Sequence, residues 1–296
     1  MLQQKQIVIT GASSGIGAAL TRALAAEGQR VYACARRADQ LRHVTKDETV
    51  AFSHLCDVSQ EEQVVTFVKW VSSHTPKVDA FIHCAGAFGA IGPIQATDSQ
   101  AWLQTIQTNL FGTYLMIKHL VSLLEKAEHP RIVTFSGGGA FSPFANYSAY
   151  AASKAAVVRL TETVALELAD RGIAVNSVAP GFVATEIHQA TLRDGPERTG
   201  RTFFEQPQRL LQEGAVPMEI PVACVKFLLS DEAAGLTGKT LSASFDPWNT
   251  PAFVELIPTL NVSDVYTLRR INPVNLADAG LRQALETVRA KTSAIK

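Results

Sequence analysis

The 296-residue chain lacks the marks of several protein classes. It has no C-x-x-C pair and few cysteines. We expect these to be buried free thiols, with metal binding or a disulfide the less favoured alternative: Cys34, Cys56, Cys84 and Cys224. Its 27 basic and 27 acidic residues balance, which argues against nucleic-acid and membrane partners. No apolar run approaches the roughly 18–20 residues of a membrane span, and the first ten residues show no secretory pattern, so we expect a cytoplasmic protein.

Short apolar runs alternate with helical patterns as far as residue 246, without a repeat or an obvious linker. Continuously apolar runs are typical of strands buried on both faces of a parallel sheet. Seven runs fit this description: 7–10, 31–35, 50–55, 79–84, 131–136, 173–179 and 240–245. The alternation predicts right-handed crossovers and a doubly wound, Rossmann-type α/β sheet of about seven strands.

Between the runs, a capping-box pattern at Ser59–Glu62 predicts the start of one helix, and residues 98–126 and 147–170 are predicted as long helices. Residues 186–217 are polar and rich in glycine and proline, which favours a mobile connection over a core element. Residues 247–296 form an extension beyond the domain at 1–246. An amphipathic helix is expected near its end, with an apolar face of Leu281, Ala284, Leu285 and Val288.

A glycine-rich segment, TGASSGIG at residues 10–17, follows the first strand and leads into a helical pattern. Glycines at 11, 15 and 17 permit a tight turn and close approach of the backbone to a pyrophosphate at a helix N-terminus. Because a strand precedes it and a helix follows, the segment predicts a dinucleotide site.

The second strand ends without the acidic residue that commonly binds the ribose 2′-hydroxyl of NAD. Ala35 stands in that place, and Arg36 and Arg37 follow. Two guanidinium groups suit a 2′-phosphate, which predicts NADP(H) rather than NAD(H); a solvated basic turn is the alternative.

Tyr150 and Lys154 are four residues apart in a predicted helix, so their side chains share one face. A neighbouring cation stabilises a phenolate, which allows a phenol to exchange protons nearer neutral pH.

Together these motifs resemble the short-chain dehydrogenase/reductase family, in its single-domain, NADP(H)-type branch. The resemblance covers about residues 5–246. It rests on TGASSGIG at 10–17, Asp57-Val58, Ala85-Gly86, Asn109, YAASK at 150–154 and NSVAPGFVAT at 176–185.

The resemblance implies an NADP(H)-dependent oxidoreductase that interconverts a carbonyl and a secondary alcohol. Tyr150 would be the general acid, Lys154 would lower its pKa and hold the nicotinamide ribose, and Asn109 would position a relay water. Asp57 would bind the adenine amino group. The implied dinucleotide site comprises Gly11, Ser13, Ser14, Gly15, Ile16, Gly17, Arg36, Arg37, Asp57, Val58, Ala85, Gly86, Tyr150, Lys154, Pro180, Gly181, Val183 and Thr185.

Two positions depart from the family pattern. His83-Cys84 replaces a pair of asparagines, and a packing role is expected for His83. The serine that polarises the substrate usually lies thirteen residues before the tyrosine, where this chain has Gly137. Ser136 or its neighbours, such as Ser142 or backbone N–H groups, are predicted as substitute donors. The alternative is a weakly active or non-catalytic NADP(H)-binding protein.

The resemblance also makes residues 186–217 a substrate lid. Its arginines could bind an anionic substrate, although solvated charges are the simpler interpretation: Arg193, Arg198, Arg201 and Arg209. The extension could pack on its own domain or cover a neighbouring subunit's pocket. A homodimer or homotetramer that associates through the two long helices is expected.

Overall fold

The computed structural model describes residues 4–46, 50–270, 280 and 283. In that part of the chain, seven parallel strands form one sheet in the order β3-β2-β1-β4-β5-β6-β7. They are β1 (Gln6–Thr10), β2 (Arg30–Ala35), β3 (Ala51–Leu55), β4 (Ala80–His83), β5 (Arg131–Phe135), β6 (Ala174–Ala179) and β7 (Thr240–Ser242). Each predicted apolar run overlaps one strand, and the Rossmann-type fold is confirmed. Strand order reverses between β1 and β4, where such sheets bind ligands.

The helices cover both faces of this sheet. They are α1 (Gly15–Ala26), α2 (Ala38–Val44), α3 (Glu61–His74), α4 (Ser99–Ile106), α5 (Gly112–Leu124), α6 (Ser148–Glu167), α7 (Ile187–Thr199), α8 (Arg201–Glu213), α9 (Glu219–Leu228) and α10 (Pro251–Asn261). A π-helical segment, Gln107–Phe111, joins α4 to α5, so the predicted 98–126 helix is continuous but locally unwound. The predicted 147–170 helix corresponds to α6.

Successive residues of the strands enter different cores. Ile9 of β1 packs in one cluster with Leu20 of α1 and Val225 of α9. Its neighbour Val8 packs in the other cluster, with Phe67 of α3 and side chains of α5. All of these named side chains are fully buried. A residue of this size contributes roughly 1.5–3 kcal/mol when it is fully buried, which explains why both faces of each strand are apolar.

The capping box predicted at Ser59 is wrong. Helix α3 begins at Glu61 with Gln60 as its N-cap, and Gln60 makes no side-chain capping bond. The Ser59 hydroxyl instead donates to Asp57 Oδ1 at 2.8 Å, and the Ser59 N–H donates to the same oxygen at 3.0 Å. The Asp57 carboxylate therefore holds Ser59 in the turn before the helix, where its hydroxyl cannot act as the cap.

Residues 186–217 were predicted as a mobile connection, but the structure has two helices there. Helices α7 and α8 are separated at Gly200, whose φ of 82° ends the first helix. Gly195, with φ of 71°, kinks α7 itself. Glycine and proline thus divide a helical segment into pieces that can lie along the edge of the site.

The beginning of the extension packs on the first core. Trp248, Phe253 and Ile257 are buried there with residues of α9, and the Trp248 indole N–H donates to the Ala243 carbonyl at 3.0 Å. The predicted amphipathic helix with Leu281, Ala284, Leu285 and Val288 lies outside the described residues. In the described part of the chain, no helix is both long and apolar enough to cross a membrane.

Candidate active site

A cavity of about 1530 Å³ opens at the carboxyl ends of the strands. It brings the glycine-rich segment, the two arginines, Tyr150 and Lys154 to one space. Among the residues predicted for the site, Asn109 is the exception, because it does not line the cavity. The described part of the chain contains no group of three or more His, Cys, Asp or Glu residues placed to hold a metal ion.

The glycine-rich segment forms the turn between β1 and α1. Gly11 has φ of 64°, and a Cβ on it would lie 2.7 Å from the Ala85 backbone nitrogen. Glycine is therefore needed both for the conformation and for the close approach of two chain segments. Ser14 is the N-cap of α1 but makes no side-chain capping bond. The Ser14 hydroxyl thus does not occupy the first N–H groups of α1, an arrangement that fits an anionic pyrophosphate.

Arg37 connects this turn to Glu186, the residue before α7. Its guanidinium donates to Ser13 Oγ at 3.2 Å, to Ser14 Oγ at 2.5 Å and to Glu186 Oε2 at 2.6 Å. The hydrogen bond from Arg37 lowers the pKa of Glu186, so this carboxyl is ionised at neutral pH. Glu186 was not predicted as a site residue, because nothing in the sequence places it opposite Arg37.

Arg36 is held less tightly than its neighbour. Its Nη1 lies 3.7 Å from Asp57 Oδ2, and its side chain is 61% exposed. Arg36, Asp57 and Val58 all line the cavity. A guanidinium with one loose ion pair is available to a further anion at this end of the site.

Tyr150 and Lys154 lie on the inner face of α6, as their spacing predicts, and both are buried. The Lys154 amine lies 5.7 Å from the centre of the Tyr150 ring and donates to the Phe135 carbonyl at 2.9 Å. Burial lowers the pKa of Lys154 to about 8.

The predicted lowering of the Tyr150 pKa by Lys154 remains a prediction, because burial dominates the pKa of this phenol. Burial raises the pKa of Tyr150 well above its usual value, since the charged phenolate would lose its hydration. The phenol therefore stays protonated at neutral pH, the state required of a proton donor.

Asn109 lies in the π-helical segment and is almost fully buried. Its side-chain amide accepts from the Ala87 N–H at 2.9 Å and donates to the Ala87 carbonyl at 2.9 Å. The same NH₂ group donates to Ser153 Oγ at 2.9 Å. The side chain thus ties the segment after β4 to helix α6, one residue before Lys154. Its predicted role as a holder of relay water remains a prediction.

Gly137 lies directly beneath the phenol. A Cβ on Gly137 would overlap the hydroxyl oxygen of Tyr150 and lie 3.1 Å from its Cζ. The Tyr150 hydroxyl therefore occupies the space that a side chain at 137 would need.

Ser136 lines the cavity, but its hydroxyl makes a long, 3.4 Å hydrogen bond to the Val178 carbonyl of β6. No hydrogen bond joins Ser136 to Tyr150 among the described residues. The hydroxyl would have to turn away from β6 to serve as a substitute donor, so that role also remains a prediction.

His83 is buried at the end of β4, and its Nδ1 lies 3.0 Å from the hydroxyl of Thr10. The Thr10 oxygen also accepts from the Ala85 N–H at 3.2 Å. Burial lowers the pKa of His83 to about 3, so the ring is neutral. The pair supports the segment after β4, which agrees with a packing role for His83.

The part of the cavity beyond Tyr150 is aromatic, a feature absent from the predicted site. Its lining residues include Phe88, Phe144, Tyr147, His188 and Phe203. They come from three separate parts of the chain, and no spacing in the sequence links them.

Comparison with known proteins now defines the family. The short chain dehydrogenase profile matches residues 5–195. The chain belongs to the short-chain dehydrogenase family. Membership makes it an oxidoreductase that acts on CH–OH groups, which confirms the class of activity predicted from the sequence.

Two curated relatives and one solved structure illustrate the similarity. The chain is 33% identical over 253 residues to granaticin polyketide synthase putative ketoacyl reductase 1 of Streptomyces violaceoruber, covering 79% of this chain and 90% of the relative. It is 33% identical over 248 residues to 3beta-hydroxysteroid dehydrogenase 1 of Eggerthella lenta, covering 81% and 92%. A crystal structure of an actinorhodin polyketide ketoreductase variant with NADPH matches with a TM-score of 0.73, 28% identity and coverage of 81% and 95%.

Proposed function

We propose that the protein is an NADP(H)-dependent oxidoreductase that interconverts a carbonyl and a secondary alcohol. Tyr150 is the general acid for reduction and the base for oxidation, assisted by Lys154 and Asn109. The observation that carries the proposal is that the protonated, buried phenol of Tyr150 and the uncapped N-terminus of α1 line one cavity.

The residues present fit a phosphorylated dinucleotide. The N-terminus of α1 with Ser13 and Ser14 would hold the pyrophosphate, and Arg36 and Arg37 the 2′-phosphate. Asp57, Val58, Ala85 and Gly86 would border the adenosine half. The nicotinamide half would lie against Pro180, Gly181, Val183 and Thr185, which line the same cavity. When bound, the dinucleotide supplies a hydride to the carbonyl carbon or accepts one from the alcohol carbon.

The proton for the carbonyl oxygen comes from Tyr150. As the carbon–oxygen π bond breaks, its electron pair moves to the oxygen, which takes the phenolic proton. Lys154, with a pKa of about 8, is mostly protonated at neutral pH and stabilises the resulting phenolate. Asn109 holds Ala87, in the segment after β4, and Ser153 of α6 in fixed positions relative to each other. The Tyr150 phenol and the Lys154 amine, which are also on α6, are thereby kept in place.

Names of relatives support this chemistry. Ketoacyl reductase and hydroxysteroid dehydrogenase both describe exchange between a ketone and an alcohol. The actinorhodin ketoreductase structure contains NADPH, which supports the phosphorylated cofactor for this chain as well.

A second candidate is an NADP(H)-binding protein with little turnover. It is favoured by Gly137, which offers no hydroxyl to the substrate oxygen, and by Ser136, whose hydroxyl bonds to β6. Loss of one such donor in other enzymes costs on the order of 10²–10³ in rate.

Fluorescence titration with NADPH and NADH, combined with NADPH oxidation across ketones, ketoacyl thioesters and keto sugars, separates the two candidates. The reductase proposal expects tight NADPH binding and oxidation with at least one carbonyl class. Binding without oxidation across the whole panel would support the second candidate.

We also propose that the protein is a homodimer or homotetramer. Phe111, at the end of the π-helical segment, and Tyr114, in the first turn of α5, stack with ring centres 5.8 Å apart and are 41% and 43% exposed. Leu166 of α6 is 81% exposed. Both long helices thus present apolar side chains that a second subunit would cover. Light scattering after gel filtration measures the mass, and a monomer at micromolar concentration would contradict this proposal.

A further inference from the structure

Four aromatic side chains form one side of the cavity beyond the proton donor. We call Phe88, Phe144, Tyr147 and Phe203 the aromatic wall. Phe144 stacks on Tyr147 with ring centres 4.5 Å apart, and Phe203 meets Phe144 edge-on at 4.7 Å. Phe88 meets Tyr147 edge-on at 5.2 Å. Each of the four rings is thus in contact with at least one other ring of the wall.

The wall begins at the catalytic tyrosine itself. Phe88 meets the Tyr150 ring edge-on, with centres 4.7 Å apart. Phe144 lies 6.3 Å from the same ring. A substrate whose oxygen reaches the Tyr150 hydroxyl must therefore place one of its carbon substituents beside these rings.

The polar groups near the wall are already paired or neutral. The Tyr147 hydroxyl is 2.8 Å from Thr191 Oγ1, and both residues are buried. His188 packs against Phe182, with ring centres 4.2 Å apart, and against Phe88 at 5.5 Å. Burial lowers the pKa of His188 to about 4, so its ring carries no charge at neutral pH. The wall thus favours an apolar surface on its ligand.

The positive charges of the cavity lie elsewhere. Among the described residues that line it, the Lys and Arg side chains are Arg36, Arg37, Lys154 and Arg193. The first two are at the nucleotide end, and Lys154 donates to the Phe135 carbonyl. Arg193 is exposed. Arg198 of the lid donates to the Ile91 carbonyl at 2.9 Å. None of these cations is buried within the wall, where it could pair with a carboxylate or phosphate.

The geometry points to an uncharged ketone, or its alcohol, carried on a flat apolar ring system as the substrate class, with Phe203 as the lid residue that selects it. The inference rests on the proposed carbonyl chemistry and adds which carbonyl compounds are accepted. Flat rings match flat aromatic faces, because offset and edge-on contacts between π systems are favourable. A short aliphatic ketone would leave the wall uncovered, and an anionic one would lose hydration without gaining an ion pair there.

The test compares three ketones with NADPH: β-tetralone (two fused rings), methyl propyl ketone (short and uncharged) and levulinate (short and anionic). For the natural sequence we expect kcat/KM for β-tetralone to exceed the value for each of the other ketones by about 100-fold. One added carbon in a well-fitting apolar pocket can raise kcat/KM by ~10-fold or more, and β-tetralone has several. Equal or higher values for levulinate or methyl propyl ketone would overturn the inference.

Two neighbouring phenylalanines supply a matched pair of variants. Phe203 lines the cavity, whereas Phe204, on the same turn of α8, does not. Phe203→Ala should lower kcat/KM for β-tetralone by about 10-fold and leave methyl propyl ketone within about 2-fold. Phe204→Ala should leave both unchanged, and Phe203→Leu should recover part of the loss. The same effect from both alanine variants would contradict the assignment, and thermal melting of each variant shows that it is folded.

Binding without turnover separates this inference from the proposed function. Calorimetry with β-tetralone and the NADP⁺-loaded protein measures binding to the wall in a complex that holds no hydride to transfer. Binding that weakens in Phe203→Ala, with no ketone reduced, would support the wall and overturn the reductase. Reduction of ketones without preference for the ring compound would support the reductase and overturn the role of the wall.

Discussion

The two ends of the cavity are built by different chemistry. The nucleotide end consists of backbone N–H groups, hydroxyls and ion pairs, with Arg37 reaching Ser13, Ser14 and Glu186. The substrate end consists of aromatic rings around Tyr150. A dinucleotide is a constant, charged ligand that a fixed turn can bind, whereas substrates vary and are selected by the shape of side chains. The first end is therefore built from the motifs that carry the family resemblance, and the second from side chains outside those motifs.

Replacing the tyrosine between the two ends should have the largest effect. We expect Tyr150→Phe to lower kcat by about 10³-fold, because general acid catalysis typically contributes 10²–10⁴. NADPH affinity should change by less than about 5-fold, since the turn and the arginines are untouched. Stopped-flow reduction and fluorescence titration measure the two quantities. A large loss of NADPH affinity would show that the Tyr150 hydroxyl contributes to dinucleotide binding.

The 2′-phosphate assignment predicts the next largest effect. Arg36→Ala should weaken NADPH binding by about 10–100-fold, the value of a charge-assisted hydrogen bond of roughly 1.5–3 kcal/mol. NADH binding should change by less than about 3-fold. Arg42→Ala is the control, because Arg42 pairs with Asp39 on the exposed side of α2 and does not line the cavity. Equal losses for both dinucleotides would contradict the assignment.

The difference between the two ends also explains what the sequence could predict. The glycine-rich turn around Gly11 could be predicted because β1, the turn and α1 follow one another directly in the chain. Tyr150 and Lys154 share a helix, so their spacing was sufficient. The aromatic wall draws on Phe88, Phe144 and Phe203, which the fold brings together from distant positions, and sequence periodicity carries no information about such contacts.

The wrong predictions have equally local causes. The motif at Ser59 has the residues of a capping box, but Asp57 takes the serine hydroxyl before the helix begins. The polar segment at 186–217 contains Gly195 and Gly200, and these end or kink helices rather than prevent them. The burial that raises the pKa of Tyr150 could not be predicted from the spacing of Tyr150 and Lys154, because burial depends on the whole fold.

Gly137 tests whether the substrate end lacks a donor. Gly137→Ala should lower kcat by about 10-fold, because its Cβ would displace the Tyr150 hydroxyl. Gly137→Ser makes the same displacement but adds a hydroxyl. If the site lacks a donor, kcat of the serine variant should be about 10-fold higher than kcat of the alanine variant. This is less than the roughly 10²–10³ that one well-placed donor contributes in other enzymes, because the serine hydroxyl would share its space with the Tyr150 hydroxyl. Equal rates for the two variants would show that another group, such as Ser136, already serves the substrate oxygen.

The smallest expected effect concerns Glu186, which shares Arg37 with the predicted phosphate. A carboxylate 2.6 Å from the guanidinium competes with a second anion for the same N–H groups. Glu186→Gln should therefore tighten NADPH binding by about 3-fold and leave NADH unchanged, in line with the modest energy of exposed ion pairs. Fluorescence titration measures both.

Glu197→Gln is the matched control, since Glu197 is an exposed carboxylate of α7 that does not line the cavity. In the Arg37→Ala background, Glu186→Gln should no longer tighten NADPH binding, because the carboxylate then has no guanidinium to occupy. Tightening that persists without Arg37 would mean that Glu186 repels the dinucleotide directly. In that case repulsion between the Glu186 carboxylate and the phosphates would lower NADPH affinity, and the Arg37–Glu186 ion pair would have no effect on the choice of cofactor.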